Sequence, residues 1–446
     1  MRGTSPLGNV KTGAWILCQA IANYFPKDGD GNIDRKAPLE TLVSQLISFD
    51  ATEPRDIIYA VLSLAKDTEE GESLERSQSL PPVVVPNYDD NIIDVFRDFI
   101  NFAISQSESL DIICRCWALV VPLKQTPQTA KIRVGTRQRQ PSPGPRSVRF
   151  PSWMPSVARA AYGTPIEHIE GRRNGDSFVG SPELKLYNAT PRTNPVWRFG
   201  EKIEYNKKKA HGSGISTPPP LKIPINPSFF RVVCNGSMFV KGFVLDVIAT
   251  VGNPIVEGII SREVLALGGW FSEDYSPLDM VEIPRVPDEL WRTMVADKGT
   301  DGRAPPSTYQ RACQKCLAEA VRGDINITKL IQEEGDQTMV AFLKRVEAVV
   351  WNRTFLRSKG MEYPKMGRYK AKSLFGLAPR GTKEGDLICI LLGCSVPVIL
   401  RPDSSRKTKK YELLGEAYIY GMLNGDALGG RRKKQLEQDC IEFELQ

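Results

Sequence analysis

The chain has 446 residues, 41% of them hydrophobic, enough for two or three domains with real cores and too apolar for a chain disordered throughout. Fifty-nine Lys and Arg against 52 Asp and Glu leave a net charge of +7, too mild at this length to mark a dedicated nucleic-acid binder. Nine scattered cysteines argue against a secreted disulfide framework, no run approaches the roughly 18 apolar residues of a membrane span, and residues 1–10 lack the apolar core of a signal peptide, so the expectation is a soluble cytoplasmic protein with no membrane contact.

In chain order, residues 12–24 read as a short amphipathic helix with Trp15, Ile16, Ala20, Ile21 and Tyr24 on one face. Residues 26–34, PKDGDGNID, have the look of a calcium loop. Aligning Gly31 and Ile33 with the sixth and eighth loop positions puts Pro26 first and Ala37 last, so two essential carboxylates are missing and a turn is expected. Leu39, Leu42, Leu46 and Phe49 predict a helix over 37–49. The stretch 51–67, ATEPRDIIYAVLSLAKD, predicts another: Thr52 as N-cap, Pro54 in the first turn, Ile57, Ala60, Val61 and Leu64 buried, Arg55 and Asp56 at the rim. After an acidic loop, Asp90 or Asn91 caps a helix whose stripe is Ile92, Val95, Phe96, Phe99, Ile100 and Ala103. Cys114 and Cys116 lack a second ligand pair and read as small buried hydrophobes.

Residues 124–149 carry seven basic residues, four prolines and no acid, and predict an exposed connection, or a basic arm touching nucleic acid or an acidic surface. Residues 207–220, KKKAHGSGISTPPP, predict a second. Residues 237–252 form the clearest strand pattern, with Gly242 as a bulge or bend and Asp246 facing out, solvated or bonded to nearby backbone. A helix is expected over 287–298, capped by Asp288, with Leu290, Trp291, Met294 and Val295 inward, and another over 338–355. Cys313 and Cys316 share a helical face without completing a metal site. Short apolar runs at 373–378, 384–392, 396–401 and 411–422 predict a compact antiparallel, barrel-like unit, with 406–410 as a hairpin tip. The chain's two histidines, His168 and His211, lie in polar surroundings, and no GxSxG elbow accompanies them, which disfavours hydrolase chemistry.

Several of these blocks resemble fungal heterokaryon incompatibility (HET) proteins. ATEPRDIIYAVLSLA is similar to the family's ATDPRDKIYALLGLA, placing Pro54, Arg55, Asp56 and Tyr59 at motif positions. VPNYDDNIIDVF resembles its PDYxxxxxxVF element, FPSWMP with Trp153 the start of LPSWVPDW, LKLYNA the YNAxGG stretch, the 237–252 strand LxVxGxxxDxI, and LWRTMVAD the family's FWRTLVAD. The C-terminal block GLGPxxxxxGDxIxVLxGxxxPxxLRxxxxxYxLxGExYxxGxMxGE is matched at Gly376, Pro379, Gly385, Asp386, Gly393, Pro397, Leu400, Arg401, Tyr411, Gly415, Glu416, Tyr418, Gly421 and Gly425. Read physically, Gly-Asp makes a tight turn, Gly and Pro sit at bends, and Leu-Arg ends a strand.

The expected fold is α+β: a helical part over 1–122, a Pro-rich and basic connection with short strands over 123–225, and an α+β region over 226–446 that ends in the small antiparallel barrel-like unit. The family's ALSYxWG and WxDxxCIxQ elements have no counterpart in this sequence, and the resemblance places the cell-death-triggering activity in the domain that carries them. The resemblance therefore implies a truncated, non-enzymatic HET-like protein of non-self recognition, with protein partners, no cofactor, no metal and no catalytic residue, and with nucleic acid disfavoured. Competing classes are a basic nucleic-acid-binding or protein-interaction module and a cryptic hydrolase or NAD-cleaving enzyme.

Overall fold

A computed structural model describes residues 34–46, 51–68, 83–119, 150–157, 175–200, 236–270, 285–319, 323–360, 373–403, 409–429 and 438–446, together with 22, 24–27, 29, 31 and 436. The expectations for 124–149 and 207–220, for the 404–408 part of the hairpin tip, for both histidines and for most of 12–24 lie outside these residues. The described chain mixes eight helices with a nine-stranded sheet and a small two-stranded one.

Helix α1 (Leu39–Gln45) buries Leu39, Glu40, Thr41, Leu42 and Val43 and stops at Leu46, short of the expected end. The stretch 51–67 departs further from expectation. Its helix α2 spans only Asp56–Tyr59, with Arg55 at the N-cap position, and Leu62–Leu64 form a separate 3-10 turn. Thr52 is exposed and caps nothing; Ile58 and Ala65 are the fully buried apolar residues, Ile57, Val61 and Leu64 of the predicted stripe are partly buried against the same core, and Ala60 faces solvent. Two tethers at its far end explain the break: Lys66 N–H donates to the Ala37 carbonyl at 3.0 Å and Leu39 N–H to Asp67 Oδ1 at 2.8 Å. A continuous helix would carry 66–67 past these partners, and the β-branched Ile57, Ile58 and Val61 give it little intrinsic support. Helix α3 (Ile92–Ser107) follows its predicted stripe, with Asn91 accepting from Ile93 N–H as the cap.

The C-terminal half is built on strand β2 (Met238–Val251), flanked upstream by β1 (Trp197–Phe199). After it come β3 (Ile259–Ile260), the Ser261-capped α4 (Arg262–Leu267), α5 (Asp288–Met294), α6 (Thr308–Glu319), β4 (Ile325–Asn326), α7 (Ile327–Glu333) and α8 (Gln337–Val350). Helix α5 buries its four predicted residues, but Pro287 takes the cap position. Helix α8 ends at Val350 rather than 355, because Asn352 turns left-handed at φ 54° and Arg353 opens strand β5 (Arg353–Ser358). The remaining strands are β6 (Phe375–Pro379), β7 (Leu387–Leu391), β8 (Val398–Pro402), β9 (Lys410–Glu416), β10 (Tyr418–Ile419) and β11 (Ile441–Leu445).

Sheet order is β10-β6-β5-β2-β11-β9-β8-β7, with β1 also on β2 and a further pairing between β2 and β7. All neighbours are antiparallel except β11 and β9, which run parallel, so the sheet is mixed where a purely antiparallel unit was expected. The reason is that β11, at the end of the chain, enters between β2 and β9. Strand β2 is long enough to change partners along its length: β1 and β11 over 238–242, β7 over 242–247, β5 over 248–251. Gly242 sits where β11 and β7 flank it together, and a Cβ there would stand 2.2 Å from the Ile390 carbonyl. It is a site of close approach; the register shifts lie further on, at Val244/Asp246 and Ile248/Thr250. Residues along β7 alternate between two cores, Cys389 and Leu391 in the larger and Ile388 and Ile390 in the smaller, which is why the strand reads as a continuous apolar run.

Candidate functional site

The motif positions fall into separate clusters, each closed on its own partners. At the first, Pro54 lies in the turn that Asp56 N–H closes onto the Glu53 carbonyl. Arg55 is buried, not at a rim: its guanidinium donates to Glu53 Oε1 at 2.6 Å and to the Asp90 carbonyl at 2.9 Å. Tyr88 donates to Asp56 Oδ1 at 2.7 Å, Tyr59 to the Asn87 carbonyl at 3.2 Å, and the two rings meet edge to face at 5.2 Å. The ATEPRD and PNYDD blocks are thus two halves of one clasp. Burial raises the Tyr59 hydroxyl pKa, against the Asn87 bond, and the Asp56 hydrogen bond raises that of Tyr88, so neither phenol moves toward neutral pH.

Trp153 is buried elsewhere, its indole N–H donating to the Gly236 carbonyl at 3.0 Å and its ring against Phe199. Gly385, at φ 86°, makes the turn into β7, where its lack of a Cβ permits the left-handed backbone. Asp386 beside it receives a fork from Arg401, Nε to Oδ1 at 2.9 Å and Nη2 to Oδ2 at 2.8 Å, and accepts Lys383 N–H at 2.7 Å. That hydrogen-bonded fork holds the Arg401 pKa above its ordinary value.

Gly415 pairs with Ile399 at the register shift between β8 and β9, and Glu416 follows it with a carboxylate bonded to four donors. Its oxygens accept from Phe178 N–H at 2.8 Å, Val179 N–H at 3.0 Å, Ser177 Oγ at 3.0 Å and Arg353 Nη2 at 2.8 Å. Arg353 also donates to the Asp176 and Val349 carbonyls and lies over the Phe178 ring. Its burial depresses its pKa against the pull of Glu416. Tyr418, packed near Phe178 and Tyr187, has its pKa pushed well up by burial. Asp246, expected to face out, is buried and accepts Ser358 Oγ at 2.6 Å and Gly360 N–H at 3.0 Å.

Sequence reasoning missed the partners. Arg353 stands between Trp351 and Phe355, and Arg115 inside IICRCWAL; a lone cation in an apolar run is the signal that marks both. Arg115 bonds the buried Glu40 and the Gly180 carbonyl and lies 3.7 Å from Asp111, which in turn accepts Ser395 N–H. Near this network a polar cavity of about 250 Å³ opens between the end of α3, the 185–194 loop and the turn after β7, lined by Ser107, Ser109, Lys185, Thr190 and Arg192 among others. Among the described residues no group of three or more His, Cys, Asp or Glu is placed to hold a metal ion, and no helix is long and apolar enough to cross a membrane.

No curated protein and no solved structure matches the chain. A family model does match residues 307–436, less than a third of the chain, and the match takes in α6 to β10 with the Asp386–Arg401 fork, Arg353, Glu416 and Tyr418, leaving the Arg55 clasp, Trp153, β2 and β11 outside it. That model is the Het-6 beta-barrel domain, so the segment 307–436 is a C-terminal region of the kind found in HET-type heterokaryon incompatibility proteins.

Proposed function

We propose that this chain is a non-enzymatic component related to heterokaryon (vegetative) incompatibility, acting through protein partners in non-self recognition and the cell-death signalling that follows it in filamentous fungi. The observation that carries the reading is the Het-6 barrel match over 307–436. The clusters support it: Arg55, Asp386, Arg401 and Glu416 each spend their charge on a partner inside the fold, which suits positions that build a scaffold. The barrel belongs to the same reading. Pairings run from β2 through β11, β9, β8 and β7 back to β2, and alternate side chains of all five strands, among them Val240, Leu391, Leu400, Leu413 and Phe443, meet in one buried cluster.

The direct test is a fungal heterokaryon assay in which the gene is deleted or exchanged between incompatible strains. Loss or transfer of the incompatibility reaction is expected; an unchanged reaction in every pairing would overturn the reading. The enzymatic alternative is tested on the purified chain with NAD, where no turnover is expected. A nucleic-acid module, resting on the basic runs 124–149 and 406–410, is tested by DNA titration at two salt concentrations: tight binding at low salt that collapses at high salt would favour it over ours.

A further inference from the structure

The clasp around Arg55 presents a surface. Val83 and Val85 are the two most exposed large apolar side chains among the described residues, at 64% and 69%, and Tyr88 beside them is 55% exposed. Val84 between them is buried, and this exposed–buried–exposed alternation leaves Val83 and Val85 on the outer side. This surface is braced from behind. Arg55 holds the Asp90 carbonyl, Tyr59 the Asn87 carbonyl and Asp56 the Tyr88 hydroxyl, while Asn87 Oδ1 accepts Asp89 N–H. Residues 87–90 thus carry four restraints within four positions, which a loose loop does not.

The rim is acidic in a chain whose net charge is +7: Asp56, Asp89 and Asp90 lie beside the two tyrosines, while Glu53 is ion-paired with the buried Arg55. We propose that this face docks a partner protein through a segment of aliphatic side chains flanked by Lys or Arg. Apolar exposure supplies the driving force, and the carboxylates select the sign of the partner's flanks and speed its approach. The inference rests on the partner-binding part of the reading above and names the partner's chemistry.

A phage-displayed random peptide library panned on the full chain tests it, with the Val83→Ser/Val85→Ser variant as counter-target. Both replaced side chains are exposed, so the variant should match the parent in circular dichroism and melting, which is checked first. Enriched peptides are expected to combine Leu, Ile or Val with Lys or Arg, and a synthetic example should bind the parent roughly tenfold more tightly than the variant, with affinity falling as salt rises. Peptides without basic residues, equal binding to the variant, or no enrichment would overturn the proposal. So would concentration-dependent dimerisation that the variant abolishes, since the occupant would then be a second copy. The same variant in the heterokaryon assay separates the two readings: an intact reaction overturns this surface alone, whereas a parent chain without any reaction overturns the incompatibility reading and leaves the peptide result standing.

Discussion

Arg55 is a surface-like residue in the sequence and a buried one in the fold, and the difference decides what its replacement does. Arg55→Ala leaves the Asp90 carbonyl without its donor and Glu53 with only the backbone N–H of residue 55, and stability should fall by roughly 2 kcal/mol, less than for a wholly buried pair because the Glu53 side chain is 31% exposed. Arg55→Lys should recover only part, since one ammonium does not reproduce the two-directional guanidinium; urea unfolding measures both. Glu40 gives a prediction in pH. Burial raises its pKa above the ordinary 4.5, outweighing the attraction of Arg115, so the folded state binds its proton more tightly than the unfolded state does. Stability contributed by the neutral carboxyl is therefore present below about pH 4.5 and lost as pH rises through the raised folded value. Glu40→Gln should flatten melting temperature against pH across that window; an unchanged slope would show that Glu40 does not titrate there. The partnerships of Glu416 and Arg115 were not legible in sequence, because Glu416 and Ser177, or Arg115 and Glu40, are joined across 239 and 75 residues, and only an unexplained charge in an apolar run hints at them.

Elements were legible where one face is buried along their whole length. Helix α3 and strand β2 fall where the sequence places them: the stripe from Ile92 to Ala103 reports burial directly, and the β-branched and aromatic residues of 238–251 suit a strand, although the buried pairs 242/243 and 245/246 interrupt its alternation. Expectation failed where a tertiary tether cuts a pattern short: Lys66 held by Ala37 ends the run of helix in 51–67, and Asn352 in a left-handed conformation converts the tail of a predicted helix into β5. Gly242 was noticed for a reason the fold replaces, since its role is to let β2 pass beside β7. Gly242→Ala should destabilise by about 1–3 kcal/mol through the clash with the Ile390 carbonyl, while Gly381→Ala, with nothing within 4 Å of its added methyl, should change stability by less than about 0.5 kcal/mol. Denaturant midpoints of the two variants, read side by side, separate close approach from a general intolerance of substitution.

For the whole molecule, the residues that carry the family match and the residues that complete the sheet are different sets. The match spans 307–436, yet β7 and β5 pair with β2 at 242–251, and β9 pairs with β11 at 444–445, both outside it. Cut out alone, 307–436 would bare one edge of β5, of β7 and of β9, and would expose Cys389, Leu391, Leu413 and Tyr411 where Val240, Phe443 and Leu445 now pack in the same cluster. The isolated 307–436 fragment should therefore show no cooperative urea transition and should bind hydrophobic dye, whereas a fragment beginning at 236 and running to 446 should retain a single transition. Cooperative folding of the shorter fragment would mean that β2 and β11 decorate a self-sufficient unit; its failure alongside folding of the longer one would place the structural boundary upstream of β2, some seventy residues before the matched segment begins.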